Sequence, residues 1–272
     1  MSDNKIIGFI GTGNMGSVLI RGLIQSGKAT GANIVVSDIN ADRLRAIVET
    51  HGVKAAESNV ALVEKADIVV IGVKPQHVDE LMDDISAASR AGQIFISIVA
   101  GAPIEKFASR LNSEAGIVRV MPNTPASVLA GAAAICAGPG VSPEDQSLAA
   151  SIFECSGKAV VIQNEALMDA VTGLSGSGPA YIFVAIEALA DAGVHLGIPR
   201  KEASLLAAQT VYGAAKMLLE TGKSPEELRN MVTTPGGTTA AGLRMLDKGN
   251  FRSAIIDAVE AAARRARELG NR

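Results

Sequence analysis

Along the first part of the chain, apolar residues gather in short, nearly unbroken runs instead of alternating with polar ones. Seven such runs stand out, at residues 6–10, 33–37, 67–73, 93–99, 117–121, 132–137 and 159–163. Nearly continuous β-branched runs of this length predict strands buried on both faces, as in a mostly parallel sheet. Stretches with helical spacing separate them at 15–26, 41–51, 76–89, 104–111 and 143–154. Strand–helix alternation predicts an α/β, doubly wound fold.

Past about residue 164 the strand signal stops. Helices are predicted at 180–193, 201–221, 225–231, 238–248 and 251–269. A length of 272 residues, at roughly 150 residues per domain, agrees with two domains: 1–164, α/β, and 165–272, all-helical. The second half is rich in small residues, among them Ala185, Ala188, Ala190, Ala207, Gly213 and Ala214. Such helices approach closely but bury little area each, so alone they form a thin core. They are expected to pack against a second subunit, making a homodimer; a helical layer folded onto the α/β half is the alternative.

Composition narrows the function. Hydrophobic residues make up 48% and aromatics only 3%, with no Trp. That excludes a disordered chain and disfavours stacking on single-stranded nucleic acid. A net charge of −3 provides no basic field for a phosphate polymer or an anionic lipid surface. Uninterrupted apolar runs such as 68–71 fall far short of the roughly 20 residues a membrane helix needs. Met1-Ser2-Asp3-Asn4-Lys5 lacks the basic start and long apolar region of a secretory signal. Cys136 and Cys155 are too few for a disulfide framework and read as core thiols. A cytoplasmic protein without nucleic-acid or membrane partners is expected.

Gly11-Thr12-Gly13-Asn14-Met15-Gly16 is G-x-G-x-x-G. Its position after a predicted strand and at the start of a predicted helix makes it a Rossmann-type dinucleotide motif. Gly11 permits the turn, Gly13 admits a pyrophosphate, and Gly16 lets helix and strand pack. The second strand ends Ser37-Asp38, and Asp38 lies 22 residues after Gly16. An acidic residue there usually accepts the ribose hydroxyls of NAD. Ser37, Asn40 and Arg43 could instead surround the 2′-phosphate of NADP, and Asp38 or Asn40 could simply cap the next helix. NADPH is the expected cofactor and NADH the alternative. Val73-Lys74-Pro75 and Met121-Pro122-Asn123-Thr124-Pro125 close two further strands, where a nicotinamide ring and its ribose would lie. Lys74 reads either as a ribose or substrate contact or as a surface lysine. Asn123 offers both donor and acceptor.

Two polar Gly-rich segments interrupt the helical half, at 173–180 and 232–239. Both offer hydroxyls and backbone N–H groups ahead of a predicted helix, a pattern suited to a carboxylate. Plain helix caps with flexible turns are the alternative. With the glycine motif, Val73-Lys74-Pro75, residues 121–125 and 174–181, the stretch 225–243 (Pro-Glu-Glu-Leu-Arg-Asn-Met-Val-Thr-Thr-Pro-Gly-Gly-Thr-Thr-Ala-Ala-Gly-Leu) resembles the pyrroline-5-carboxylate reductase family over essentially the whole chain. The resemblance implies reduction of the C=N bond of 1-pyrroline-5-carboxylate to L-proline, the last step of proline biosynthesis. It implies that Thr234, Gly237 and Thr238 hold the substrate carboxylate. Thr239 would set a hydroxyl against the ring nitrogen as the catalytic residue, with Ser177 and Lys74 as lesser substrate contacts. It also implies a site shared between subunits, and assembly into dimers and decamers.

The chain shows no constellation of His, Cys and carboxylates for acid–base work, and no metal is expected. His51, His77 and His195 read as ordinary helix-end or surface residues. An imine, which can be protonated before it binds, tolerates that lack, so proximity and orientation would carry the catalysis. A hydroxy-acid dehydrogenase of similar architecture would need a firm general base. A module that senses NADPH without chemistry would have no need of the Thr-Gly segment.

Overall fold

A computed structural model describes residues 5–270. The secretory-signal reading therefore falls mainly on Met1 to Asn4, outside the described residues. By internal contacts the chain divides into two compact units, Met1–Ser177 with Ala261–Arg272, and Gly178–Glu260.

The first unit is built on one eight-stranded sheet. Its strands are β1 (Ile7–Ile10), β2 (Ile34–Ser37), β3 (Lys54–Ala55), β4 (Ile68–Ile71), β5 (Ile94–Ser97), β6 (Gly116–Met121), β7 (Gly131–Ala137) and β8 (Gly157–Val161). They are ordered β3-β2-β1-β4-β5-β6-β7-β8. From β3 to β6 every pairing is parallel. The order reverses direction at β1, which makes a topological switch point beyond the carboxyl ends of the strands. There Ile10 stands level with Ser37 on one side and Ile71 on the other.

The unbroken apolar runs reflect two cores, one on each face of the sheet. Phe9, Val36, Ile68, Val70, Ile94 and Ile96 face one side. There they meet α1 (Asn14–Gln25), α2 (Ala41–His51) and, further along, α6 (Pro143–Glu154) through Leu19, Leu23, Ile47, Ile152 and Phe153. The alternate residues Ile10, Val35, Val69, Ile71 and Phe95 face the other side. Their partners are Leu62 and Val63 of α3 (Asn59–Lys65), Leu81 and Met82 of α4 (Val78–Ile85) and Phe107 of α5 (Ile104–Ala108). Every second residue turns over, so a strand covered on both faces is apolar throughout.

Among the described strands and α-helices, three lie outside the predicted set: β3, α3 and the four-residue α7 (Met168–Val171). The strand β3 is two exposed residues at the sheet edge, too short and too polar to stand out. The helix α3 is a seven-residue segment begun by Ser58, whose side chain accepts from the Ala61 backbone N–H. The final parallel run also breaks once, because β7 pairs antiparallel with β6. Only residues 122–130 join them, fewer than the dozen or more that a parallel crossover needs.

The sequence places its domain division after residue 164, where strand signal ends. By contacts, the short helix α7 (Met168–Val171) still belongs to the first unit, because Met168 is fully buried in the core over α5. Arg119, buried on β6, adds polar ties to the same segment, at 3.0 Å from Glu165 and 3.5 Å from Asp169. Glu165 also accepts from the Ile104 backbone N–H at 2.8 Å.

The second unit is all-helical. It holds α8 (Gly178–His195), α9 (Arg200–Thr221), α10 (Pro225–Met231), α11 (Thr238–Lys248) and the start of α12 (Phe251–Gly270). Its buried hydrophobic residues are small: Ala190, Ala203 and Ala207. Large ones stand outside, Phe183 at 60% and Leu205 at 68% exposure, with Leu206, Tyr212 and Leu219. The thin core expected from the alanine pattern is what the unit has.

One observation goes against the count of apolar runs. The helical stretch Glu165–His195 holds an 18-residue window, of mean hydropathy 1.2, long and apolar enough to cross a membrane, and only 11% of that window is buried. A window average tolerates the interspersed Gly and Ser residues that break every uninterrupted run.

Candidate functional site

The glycine motif sits at the switch point as its spacing predicts. Gly11 has φ +96°, and a Cβ on it would lie 2.7 Å from the Gly72 carbonyl oxygen, at the end of the neighbouring β4. A Cβ on Gly16 would lie 2.4 Å from the Gly11 carbonyl oxygen. Gly13 differs: the nearest atom to a Cβ there is Arg43 Nη1, at 3.9 Å. Gly13 is also the N-cap of α1, with no side-chain cap and no acidic residue in the first turn. An uncapped helix start with open space over its N-cap suits an anionic pyrophosphate. The residues present therefore fit a dinucleotide.

Thr12 turns inward. Its backbone N–H and its hydroxyl both donate to Asp38 Oδ2, at 2.7 and 2.8 Å. Asp38 Oδ1 accepts from the Asn40 backbone N–H at 2.8 Å, and Arg43 Nη1 lies 3.3 Å from Oδ2. The Asp38 side chain is only 3% exposed. Burial by itself would raise its pKa. The N–H groups of Asn40 and Thr12, the Thr12 hydroxyl and the Arg43 charge together outweigh burial, holding the carboxyl below its usual value. Asn40 is the helix cap left open by the sequence, accepting from the Arg43 N–H at 2.9 Å.

Ser37 donates to Asn59 Oδ1 at 2.7 Å. Asn14 is exposed and Met15 half-buried against the core. Val73 is half-buried, whereas Lys74 and Pro75 are exposed where a short 3-10 turn begins. Asn123 uses both ends of its amide: Nδ2 donates to the Ser175 carbonyl at 3.0 Å and Oδ1 accepts from the Ala132 N–H at 2.9 Å. Ile39 was not among the sequence candidates. It stands 94% exposed directly after Asp38. Its only signal was an apolar residue within the polar stretch Ser37-Asp38-Ile39-Asn40.

The two Gly-rich segments of the second half part company. The first was expected to lead into a helix start, but residues 172–176 form a π-helical turn between α7 and α8. The Ser177 amide and the Ser175 hydroxyl are spent inside it. The Ser177 N–H donates to the Thr172 carbonyl at 2.8 Å and the Ser175 hydroxyl to the Val171 carbonyl at 3.1 Å. The helix has already begun at α7, so this segment is no free N-terminus. Ser177 is half-buried within it.

The second segment is a true helix start. Gly237 is the N-cap of α11, again without a side-chain cap. Gly236 takes φ +69°, and the Gly237 N–H closes the turn onto the Thr234 carbonyl at 3.0 Å. The Thr234 hydroxyl oxygen would lie 2.4 Å from a Cβ on Gly237, so it stands directly beside the helix start. Thr234 and Thr238 are exposed, and Thr239 is half-buried. Three hydroxyls, an uncapped N-terminus and no acidic residue in the first turn make a helix start that suits an anion such as a carboxylate.

Cys136 and Cys155 are free. Burial pushes the Cys136 thiol up, helped by the Glu165 charge, and pushes Cys155 up to about 11. Neither resembles a primed nucleophile. Among the described residues no group of three His, Cys, Asp or Glu side chains is placed to hold a metal ion.

Residues 165–269 match the family model for pyrroline-5-carboxylate reductase dimerisation, and residues 6–101 that for the NADP oxidoreductase, coenzyme F420-dependent, family. The chain is 44% identical to a pyrroline-5-carboxylate reductase of Methanosarcina acetivorans, over 99% of this chain and 100% of that one. Among solved structures, the pyrroline-5-carboxylate reductase of Coxiella burnetii superposes with a TM-score of 0.93 at 39% identity, covering 97% of this chain and 98% of the other. The Plasmodium falciparum enzyme with NADP bound gives 0.86 at 32% identity, covering 98% and 99%.

Proposed function

The chain belongs to the pyrroline-5-carboxylate reductase family, and from that membership we propose that it reduces the C=N bond of 1-pyrroline-5-carboxylate to give L-proline, as the last step of proline biosynthesis. NADPH, when bound, supplies the hydride. Residues 1–164 bind the dinucleotide; residues 165–272 carry the dimer face and the substrate loop.

The single observation that carries this reading is the α11 start. The family signature runs whole from Pro225 to Leu243, and it ends in an uncapped helix N-terminus flanked by threonines. The N–H groups after Gly237 and the hydroxyls of Thr234 and Thr238 hold the substrate carboxylate, favoured by the positive end of the helix dipole. Thr239, half-buried one residue further in, turns its hydroxyl to the ring nitrogen, orients it and relays its proton. A protonated imine is already electrophilic, so this chain's task is orientation, and no strong acid is required of it. On the cofactor, the Gly13 backbone and the start of α1, with Asn14 and Met15, hold the pyrophosphate. The loop ends at Val73-Lys74-Pro75 and Asn123 flank the nicotinamide side. Ser177 and Lys74 make lesser substrate contacts.

The exposed apolar residues of α8 and α9 form the dimer face. The apolar stretch Glu165–His195 lies within the dimerisation match, so we read its cover as a second subunit and not lipid. Assembly of dimers to a decamer, and a cytoplasmic location, complete the reading.

The test is absorbance of NADPH in the presence of pyrroline-5-carboxylate, for the wild type and for Thr239→Ala. Proline should form, and the variant should lose turnover at least about ten-fold while binding NADPH as before. Wild-type turnover of a hydroxy acid in place of the imine would overturn the reading. Unchanged variant turnover at saturating substrate would remove Thr239 from the mechanism.

A further inference from the structure

We propose that Asp38 clamps the glycine loop and does not receive the cofactor ribose, and that Arg43, resting on Asp38, selects a 2′-phosphorylated dinucleotide by presenting its free guanidinium edge to the phosphate. The inference rests on reading residues 11–16 as the dinucleotide loop.

Asp38 already has four donors: the Thr12 N–H, the Thr12 hydroxyl and Arg43 on Oδ2, and the Asn40 N–H on Oδ1. The Thr12 and Asn40 N–H groups belong to the backbone, and the Thr12 residue is 1% exposed, so these donors do not leave. With the Asp38 side chain only 3% exposed, a ribose hydroxyl reaches it only if a covering group moves, and its most movable contact is the one with Arg43. That is the longest of the four contacts, 3.3 Å, from a side chain 50% exposed. Its guanidinium also lies nearest to the open space over Gly13, beside the pyrophosphate cradle.

A 2′-phosphate next to an unshielded Asp38 would be repelled. A guanidinium with five N–H donors in a planar fork can face the phosphate while remaining beside the carboxylate. Other groups near the loop do not substitute for it. The Ser37 hydroxyl is committed to Asn59. His51, which with Arg43, Thr12, Asn14 and Thr50 lines a hollow of about 260 Å³, is held below the ordinary imidazole value by burial and by the Arg21 charge. Arg43 is therefore the cation at this edge of the hollow. A dinucleotide without the 2′-phosphate gains nothing from Arg43, and this is how a chain carrying Asp38 still prefers NADPH.

The experiment is calorimetric titration with NADP and with NAD, without substrate, on wild type, Arg43→Gln and Asp38→Asn. Arg43→Gln should weaken NADP binding about ten-fold or more and leave NAD within about two-fold. Asp38→Asn should weaken both in the same proportion, because the amide cannot accept at both ends and the Thr12 loop loosens. Thr12→Val, which removes one donor and leaves the carboxylate, should likewise weaken both with the ratio kept; it serves if Asp38→Asn does not fold. Equal losses for both ligands in Arg43→Gln, or a loss confined to NAD in Asp38→Asn, would overturn the proposal. Wild type binding neither ligand would instead sink the dinucleotide reading on which it rests.

Discussion

Replacing Gly13 by Ala separates the cofactor role of the glycine loop from its structural role. The backbone at Gly13, φ −64° and ψ −167°, is open to any residue. The added methyl would meet nothing closer than 3.9 Å, which is ordinary van der Waals contact. Restricting the unfolded chain stabilises by about 0.4–1 kcal/mol. Ala in place of Gly at an N-cap costs roughly the same. The two offset, so the melting temperature should move by no more than about 2 °C. Binding should respond differently. A phosphate oxygen approaches a backbone N–H to about 2.9 Å, and a methyl in that space holds it off. Losing one charge-assisted hydrogen bond costs about 1.5–3 kcal/mol, or about ten- to a hundred-fold in Kd. Calorimetric titration with NADPH and a thermal melt on the same sample give both numbers. Unchanged affinity with an unchanged melt would show that the pyrophosphate does not approach at Gly13. A melt lowered by more than about 5 °C would show that the space there is not open.

Gly16→Ala should fail in the other way. Its methyl would fall an ångström short of ordinary contact with the Gly11 carbonyl, an overpacking worth about 1–3 kcal/mol, read as a drop of several degrees in the melt. A glutamate at Leu206, exposed on α9, should turn the dimer into a less stable monomer in a sedimentation experiment; an intact dimer would place the interface elsewhere. For Asp38 the folded pKa is depressed. Its stabilisation is therefore complete above the ordinary carboxylate value of 3.8 and is lost as pH falls through the lower folded value. The stability difference between wild type and Asp38→Asn should be flat from pH 5 to 8 and shrink in acid. A difference that widens toward acid contradicts the sign.

The pattern of apolar runs was enough for the sheet, because a strand covered on both faces has no polar phase to hide it. It was not enough for β3, which has two exposed residues, or for the reversal at β7, which depends on a link too short to cross over. The glycine motif was legible for a local reason. Gly16 answers to the Gly11 carbonyl within the loop, a contact that spacing alone fixes, whereas Gly11 answers to Gly72, which the β1–β4 pairing brings beside it. The Thr-Gly loop was legible on the same ground.

What the sequence could not show was where competing hydrogen-bond partners would go. Asp38 in a Rossmann sequence suggests a ribose acceptor, yet its carboxylate already accepts from Thr12, Asn40 and Arg43, with Thr12 brought to it by the β1–β2 pairing. Residues 173–180 carry the same Ser and Gly types as residues 232–239. One set lies inside a helix already begun at Met168 and spends its N–H groups there; the other opens α11 and leaves its start uncapped. Composition and spacing determined the fold class and the dinucleotide loop, and the resemblance of residues 225–243 pointed to the family. Which polar groups remain unspent, and so can meet a ligand, only the tertiary structure decided, because each donor's partner depends on chain segments distant in sequence.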